Sequence, residues 1–350
     1  MKTRRFVIAA ALAVAAAPLL TFGPLSTQAA AEQISLYGAG ATFPAPLYKK
    51  WIEVYTDTHP EVAISYQAVG SGEGISQFVS RSVDFGASDV GISDADAAKV
   101  ADGVVTVPGT AGMIVLAYNL PGLDGALKLP RDVYADIFAG TITRWDDPKL
   151  VSANPGLNLP HANIAIVARI DSSGTTAAFS GHLYAISKTW QERNIHPGKV
   201  VSWPGSAMLV RGNEGVSARI NISEGSIGYV EYGFAHRLGL PVAALENQAG
   251  QFVQPSQEAG ETALAEATAA TPGGARLSVT DPVGDGSYPI VTYSWLLLYK
   301  QYANTAKAEA IRSFIGWGLT DGQEYSQSFG YIPLPENLAA RGEEALASIK

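Results

Sequence analysis

Short β-type runs alternate with helical patterns along almost the whole chain, and this alternation limits the fold more than any other feature of the sequence. Residues 34–36, 63–67, 85–87, 113–118, 164–167, 227–230 and 290–299 read as strands. Between them, 47–58, 74–80, 131–138, 175–190, 214–220 and 305–319 read as helices. In the fourth of these, Phe179, Leu183, Ile186 and Trp190 fall on one face at steps of four, three and four, the spacing of an amphipathic helix. The Ala-, Glu- and Thr-rich stretch 258–275 is the loosest segment and reads as a polar surface helix plus loop. Such a pattern predicts an α/β protein with mostly open sheets. A length of 350 residues exceeds what one core usually fills, so two domains are expected.

The first residues point to export. Lys2, Arg4 and Arg5 precede an apolar run from Phe6 to about Phe22, and the run gives way to small residues around Thr27-Gln28-Ala29-Ala30-Ala31. This is the layout of a cleavable signal peptide, with cleavage expected after Ala31 and 319 residues left. The run is shorter than the roughly 20 apolar residues a spanning helix needs. There is no cysteine, which excludes disulfides, thiolate metal sites, cysteine nucleophiles and a lipid-modified cysteine at the signal junction. The expected product is freely soluble once exported, not lipid-anchored.

Charge narrows the partners. The chain carries a formal net charge of −8, and removing the three basic residues of the signal takes it to about −11. Such a surface repels nucleic acid and anionic lipid. It also repels small anions, so any anion site must attract locally, through N–H groups, hydroxyls and an arginine in a cleft that excludes water.

Three strand-to-helix junctions have the right residues for that. They are Gly38-Ala39-Gly40-Ala41-Thr42-Phe43-Pro44-Ala45-Pro46, Val69-Gly70-Ser71-Gly72-Glu73-Gly74 and Arg169-Ile170-Asp171-Ser172-Ser173-Gly174-Thr175-Thr176. A helix N-terminus exposes unpaired N–H groups and partial positive charge, and glycine lets the backbone approach a compact ion closely. One such turn alone is usually an N-cap, whereas three in one chain can surround a tetrahedral anion.

Other chemistries fail on inspection. The first junction begins like a dinucleotide fingerprint, but Phe43 stands at its last glycine. No nucleotide-hydrolase phosphate loop is present, and Val69 occupies the leading glycine of a nucleophile elbow around Ser71. The five histidines, His59, His161, His182, His196 and His236, are scattered and read as surface or capping residues, which disfavours a metal hydrolase. No cofactor, metal or catalytic residue is expected.

The strings GAGATFPAP at 38–46, VDFGASDV at 83–90, IFAGTITRWDDPKL at 137–150, RIDSSGTT at 169–176 and GSIGYVEYGFA at 225–235 together resemble the periplasmic phosphate-binding proteins of phosphate-specific ABC importers, in the same order and over nearly all of the exported chain. The resemblance implies a two-lobed periplasmic-binding-protein-like fold of type II, with two crossover segments and a ligand cleft between the lobes. Lobe I would comprise 32–118 and 293–350 and lobe II 119–292, with crossings near Tyr118-Asn119 and Thr292-Tyr293. It further implies a monomer in the periplasm that delivers inorganic phosphate to an inner-membrane permease complex. By motif position the phosphate ligands would be Thr42, Phe43, Ser71, Asp89, Arg169, Ser173, Gly174 and Thr175, with Asp171 fixing the Arg169 guanidinium. Departures from the family pattern are Gly72-Glu73 after Ser71, Ser172 in place of a common glycine, and the bulkier 206–210 loop.

Asp89 is the unexpected member, because a carboxylate only accepts hydrogen bonds. Mono- and dibasic phosphate have a proton to offer it and sulfate near neutral pH does not, so Asp89 is the candidate selectivity filter; its plainer reading is a helix N-cap ahead of Gly91-Ile92-Ser93-Asp94. Competing functions are a secreted phosphatase using the same cradle, a receptor for another oxyanion or organic anion, and a secreted scaffold.

Overall fold

A computed structural model describes residues 33–270 and 279–350; the export signal expected over 1–31 lies outside them. The chain alternates strands and helices from its first described element. β1 (Ile34–Gly40), α1 (Ala45–Thr58), β2 (Val62–Ala68), α2 (Ser71–Val79), β3 (Phe85–Ser88), the single turn α3 (Asp94–Ala97) and the long β4 (Val104–Asn119) come first. Then follow β5 (Lys128–Leu129), α4 (Arg131–Phe138), α5 (Pro148–Ala153), β6 (Ala165–Arg169), α6 (Gly174–Ile186), α7 (Lys188–Glu192), β7 (Met208–Val210), α8 (Gly212–Ile222) and β8 (Ser226–Glu231). The remainder is α9 (Tyr232–Arg237), β9 (Ala244–Glu246), β10 (Phe252–Val253), α10 (Gln257–Ala270), β11 (Val291–Tyr299), α11 (Thr305–Leu319) and α12 (Glu336–Ala347).

Eight strands form one sheet in the order β2-β1-β3-β11-β4-β8-β6-β7, and β10-β9-β5 form a small second one. β4 joins the two lobes. Its first part, to Met113, pairs antiparallel with β11, and from Ile114 onward it pairs antiparallel with β8. The returning chain passes beside this change of partner, with the Ile114 N–H donating to Ile290 O at 2.9 Å. This change of partner falls a few residues before the crossing expected near Tyr118-Asn119, and the first part of β4 has no strand signal in the sequence. Pro108 and Gly109 suggest a break, yet they sit at a bulge where the register with β11 shifts between Ser294 and Trp295, and a bulge tolerates proline.

One apolar cluster runs through both lobes and includes Trp51, Trp145 and Trp190, all buried. Each indole N–H finds a carbonyl, at Gly322, Gly225 and Ala135 respectively, so burying these large rings leaves no polar atom unpaired. Three expectations need correction. The helix read over 175–190 is two helices, because Ser187 leaves helical geometry and accepts the Trp190 N–H to start α7. The helix at 258–270 is anchored as well as polar, since Ala259, Ala263 and Leu264 are buried; the rest of the 258–275 reading lies beyond the described residues. His182 is neither a surface nor a capping residue but is buried, with its Nε2 2.8 Å from the Tyr134 hydroxyl. Burial pushes its pKa down to about 4, so it is neutral in the core. Among the described residues no helix is long and apolar enough to cross a membrane.

Candidate functional site

The expected site residues all emerge at the carboxyl ends of strands, where parallel α/β sheets turn helix N-termini toward a crevice. In lobe I, β1 runs out into a loop whose carbonyls are tied from the core side. The Tyr66 hydroxyl donates to Ala41 O at 2.7 Å and the Tyr331 hydroxyl to Phe43 O at 2.6 Å. The Phe43 ring is fully buried against Tyr331, so only its backbone is available to a ligand, while Thr42 stands at the cleft wall. β2 ends before Gly70, whose φ of +98° suits glycine, and an added Cβ there would stand 2.6 Å from Asp171 Oδ2 of the other lobe. Ser71 opens α2, and its hydroxyl accepts the Asp89 N–H at 3.2 Å.

In lobe II, β6 ends at Arg169, which is buried. Its Nε and Nη2 donate to Asp171 at 2.7 and 2.5 Å, and Asp171 Oδ1 also accepts the Gly212 N–H at 3.2 Å. Burial works against the Asp171 charge, but Arg169 and the Gly212 N–H more than offset it and hold the carboxyl below its ordinary pKa. The third nitrogen, Arg169 Nη1, is buried without a partner among the described residues. Ser173 caps α6 by accepting the Thr176 N–H at 3.0 Å, which sets the first turn of the helix against lobe I.

The two lobes meet at these residues. Thr175 Oγ1 donates to Asp89 Oδ2 at 3.2 Å and the Thr175 N–H also supports that carboxylate. The Gly72 N–H donates to Ser172 O at 2.9 Å. Gly174 comes so close that a Cβ on it would lie 2.4 Å from Ser71 Oγ and 2.7 Å from Asp89 Cβ. Thr42, Ser71, Asp89, Arg169, Gly174 and Thr175 are all buried here, in a region bordered by a groove of about 1440 Å³ that Thr42, Gly72, Asp171 and Ser172 also line. Ser173 is buried as well, and its hydroxyl, which accepts from its own helix, keeps its proton to donate.

Asp89 is no N-cap; Ser93 caps α3 instead, accepting the Asp96 N–H at 3.1 Å. Burial pushes the Asp89 carboxyl up to about 6, opposed by the Ser294 hydroxyl at 2.9 Å, the Arg169 charge and Thr175. At neutral pH it is therefore ionised at a cost, and a proton donor opposite it is favourable.

A model of the PBP superfamily domain matches residues 26–321. The chain is 39% identical over 332 residues to the phosphate-binding protein PstS of Methanocaldococcus jannaschii, covering 89% of this chain and 85% of the relative. It is 37% identical over 327 residues to that of Xylella fastidiosa, with 92% and 88% covered. The chain belongs to the PstS family of phosphate-binding proteins. Its fold is also that of a solved high-affinity periplasmic phosphate-binding protein with bound phosphate, at a TM-score of 0.70 and 21% identity over 88% of this chain and 92% of the other.

Within this PstS family member, two polar residues at the site were missed by sequence reasoning. Ser294 lies mid-strand in β11, where a serine among apolar neighbours carries no motif. Asn213, the second residue of α8, is fully buried against Thr42 and Thr175. Its signal was faint: a fourth junction, Arg211-Gly212-Asn213, following a strand. Of the family departures, Glu73 is exposed on the wall of the same groove, where it accepts from Gln77 Nε2 at 2.9 Å. Ser172 packs on Gly72, where a Cβ would stand 2.0 Å from the serine hydroxyl. Among the described residues no His, Asp or Glu group could hold a metal ion.

Proposed function

We propose that this protein captures inorganic phosphate between its lobes in the periplasm and delivers it to an inner-membrane ABC permease. Thr42, Phe43, Ser71, Arg169, Ser173, Gly174 and Thr175 donate to the ion, Asp89 accepts its proton, and Asp171 steadies Arg169. Lobe I comprises 32–118 and 293–350 and lobe II 119–292; the signal over 1–31 is removed during export, and the receptor works as a monomer.

The observation that carries this reading is Arg169. A guanidinium with Nε and Nη2 committed to Asp171 and Nη1 buried without an acceptor is a cation with one face still to be satisfied. It lies close enough to Asp89 to lower that carboxyl's pKa, and the α6 N-terminus adds donors at the same place. Names of relatives favour phosphate over other oxyanions. Calorimetry of the purified protein tests it: phosphate should bind at micromolar levels or tighter with sulfate in large excess, and sulfate competing on equal terms would refute the assignment.

A further inference from the structure

Asn213 contacts both lobes at once. Its backbone N–H and its Nδ2 donate to Thr42 Oγ1 at 3.1 and 2.9 Å, and Nδ2 also donates to Thr175 Oγ1 at 3.3 Å. On its other side the Glu231 N–H donates to Asn213 Oδ1 at 3.0 Å. This last bond fixes the amide, because a peptide N–H can only donate and must therefore face the oxygen. The NH₂ group, with two protons, is left for the two threonines.

A hydroxyl has one proton and two acceptor positions. Thr42 Oγ1 accepts from both Asn213 nitrogens, so both of its acceptor positions are filled and only its proton remains. Thr175 Oγ1 accepts from Asn213 and already sends its proton to Asp89. We propose that Asn213 is a positioning residue that makes the Thr42 hydroxyl an obligate donor into the cleft, holds the Thr175 hydroxyl toward Asp89 and, by tying Thr42 of lobe I to α8 of lobe II, latches the lobes together. An anion meeting the Thr42 hydroxyl then finds its proton, with no lone pair turned toward it. The Glu231 N–H that orients the amide belongs to the end of β8, directly opposite Ile114 where β4 changes partner, so the latch is braced on the central sheet.

This rests on the phosphate reading above, and the experiment separates the two. Wild-type affinity for inorganic phosphate is measured first; no binding sinks that reading. With wild-type binding established, Asn213→Ala should weaken phosphate at least about tenfold, chiefly through faster dissociation seen by stopped-flow tryptophan fluorescence. In a Thr42→Val background the same change should cost much less, because the hydroxyl it orients is gone. Asn213→Asp keeps the volume and an acceptor for the Glu231 N–H, so it guards against a fold defect in the alanine variant. Its second oxygen cannot donate at pH 8, so phosphate binding should fall at least about a hundredfold there, recovering relative to wild type as the pH drops and the new carboxyl regains a proton. Wild-type affinity in Asn213→Asp at pH 8, or full additivity with Thr42→Val, would overturn the role.

Discussion

The two walls of the cleft are built on opposite principles. Lobe I presents neutral hydroxyls and a carboxylate, Thr42, Ser71 and Asp89, with Ser294 behind them. Lobe II presents a buried guanidinium, a helix N-terminus and an amide, from Arg169, α6 and Asn213. On the proposed reading the second wall attracts any compact anion, and the first admits only one that brings a proton. That reading assigns affinity and selectivity to different lobes, which meet at Gly174, Ser71 and Asp89.

The largest break in this division should come from Arg169→Ala. Loss of a charge-assisted donor set should weaken phosphate by at least about 2 kcal/mol in calorimetry. The same change leaves Asp171 buried without its cation, which costs on the order of 3 kcal/mol of fold stability. Arg169→Ala/Asp171→Asn separates the two effects, since its melting temperature should recover while phosphate binding stays weak. If the double variant regained phosphate affinity, attraction would not reside in lobe II.

Asp89→Asn tests the other wall. The asparagine keeps the shape but can turn an N–H toward the ligand, so phosphate affinity should change modestly while sulfate gains. Competition calorimetry should show the phosphate-to-sulfate gap narrowing by roughly one to two orders of magnitude, the scale of an unpaired buried acceptor. An unchanged gap would remove selectivity from lobe I.

How far the sequence revealed this arrangement follows from where each kind of information lies. Junctions with local signatures were legible: a Gly- and Ser-rich turn after a strand announces a helix N-terminus, so the segments carrying Thr42, Ser71 and Ser173 could be read one by one. Arg169 and Asp171 were legible as a pair because two residues along an extended segment share a side. Asn213 and Ser294 were not, since each acts only through partners far away in the chain, Thr42 for one and Asp89 for the other. The first part of β4 was hidden for a different reason, because Pro108 and Gly109 obey a bulge that only the pairing with β11 reveals.

The smallest effect is also the one that sharpens the comparison most, because it changes lobe I without a mutation. Asp89 has a folded-state pKa of about 6, above the ordinary value of about 3.9 for an aspartate. Its contribution to stability is therefore complete below about pH 4 and is lost as the pH rises through 6. When the carboxyl takes up a proton it can donate to sulfate, and the filter fails. Sulfate affinity should rise as the pH falls toward 6, by no more than about tenfold per pH unit, and level off below it, and the gap to phosphate should shrink accordingly. Ser294→Ala removes the 2.9 Å bond that stabilises the ionised form, so the same loss of discrimination should begin at higher pH. Glu231, pushed up to about 8 by burial against the opposing Gly233 N–H and Arg237 charge, titrates in a separate range. Asp89→Asn should therefore abolish the rise toward pH 6 and leave any change centred near 8 in place; a sulfate response centred on 6 that survives this substitution would assign the proton to another group.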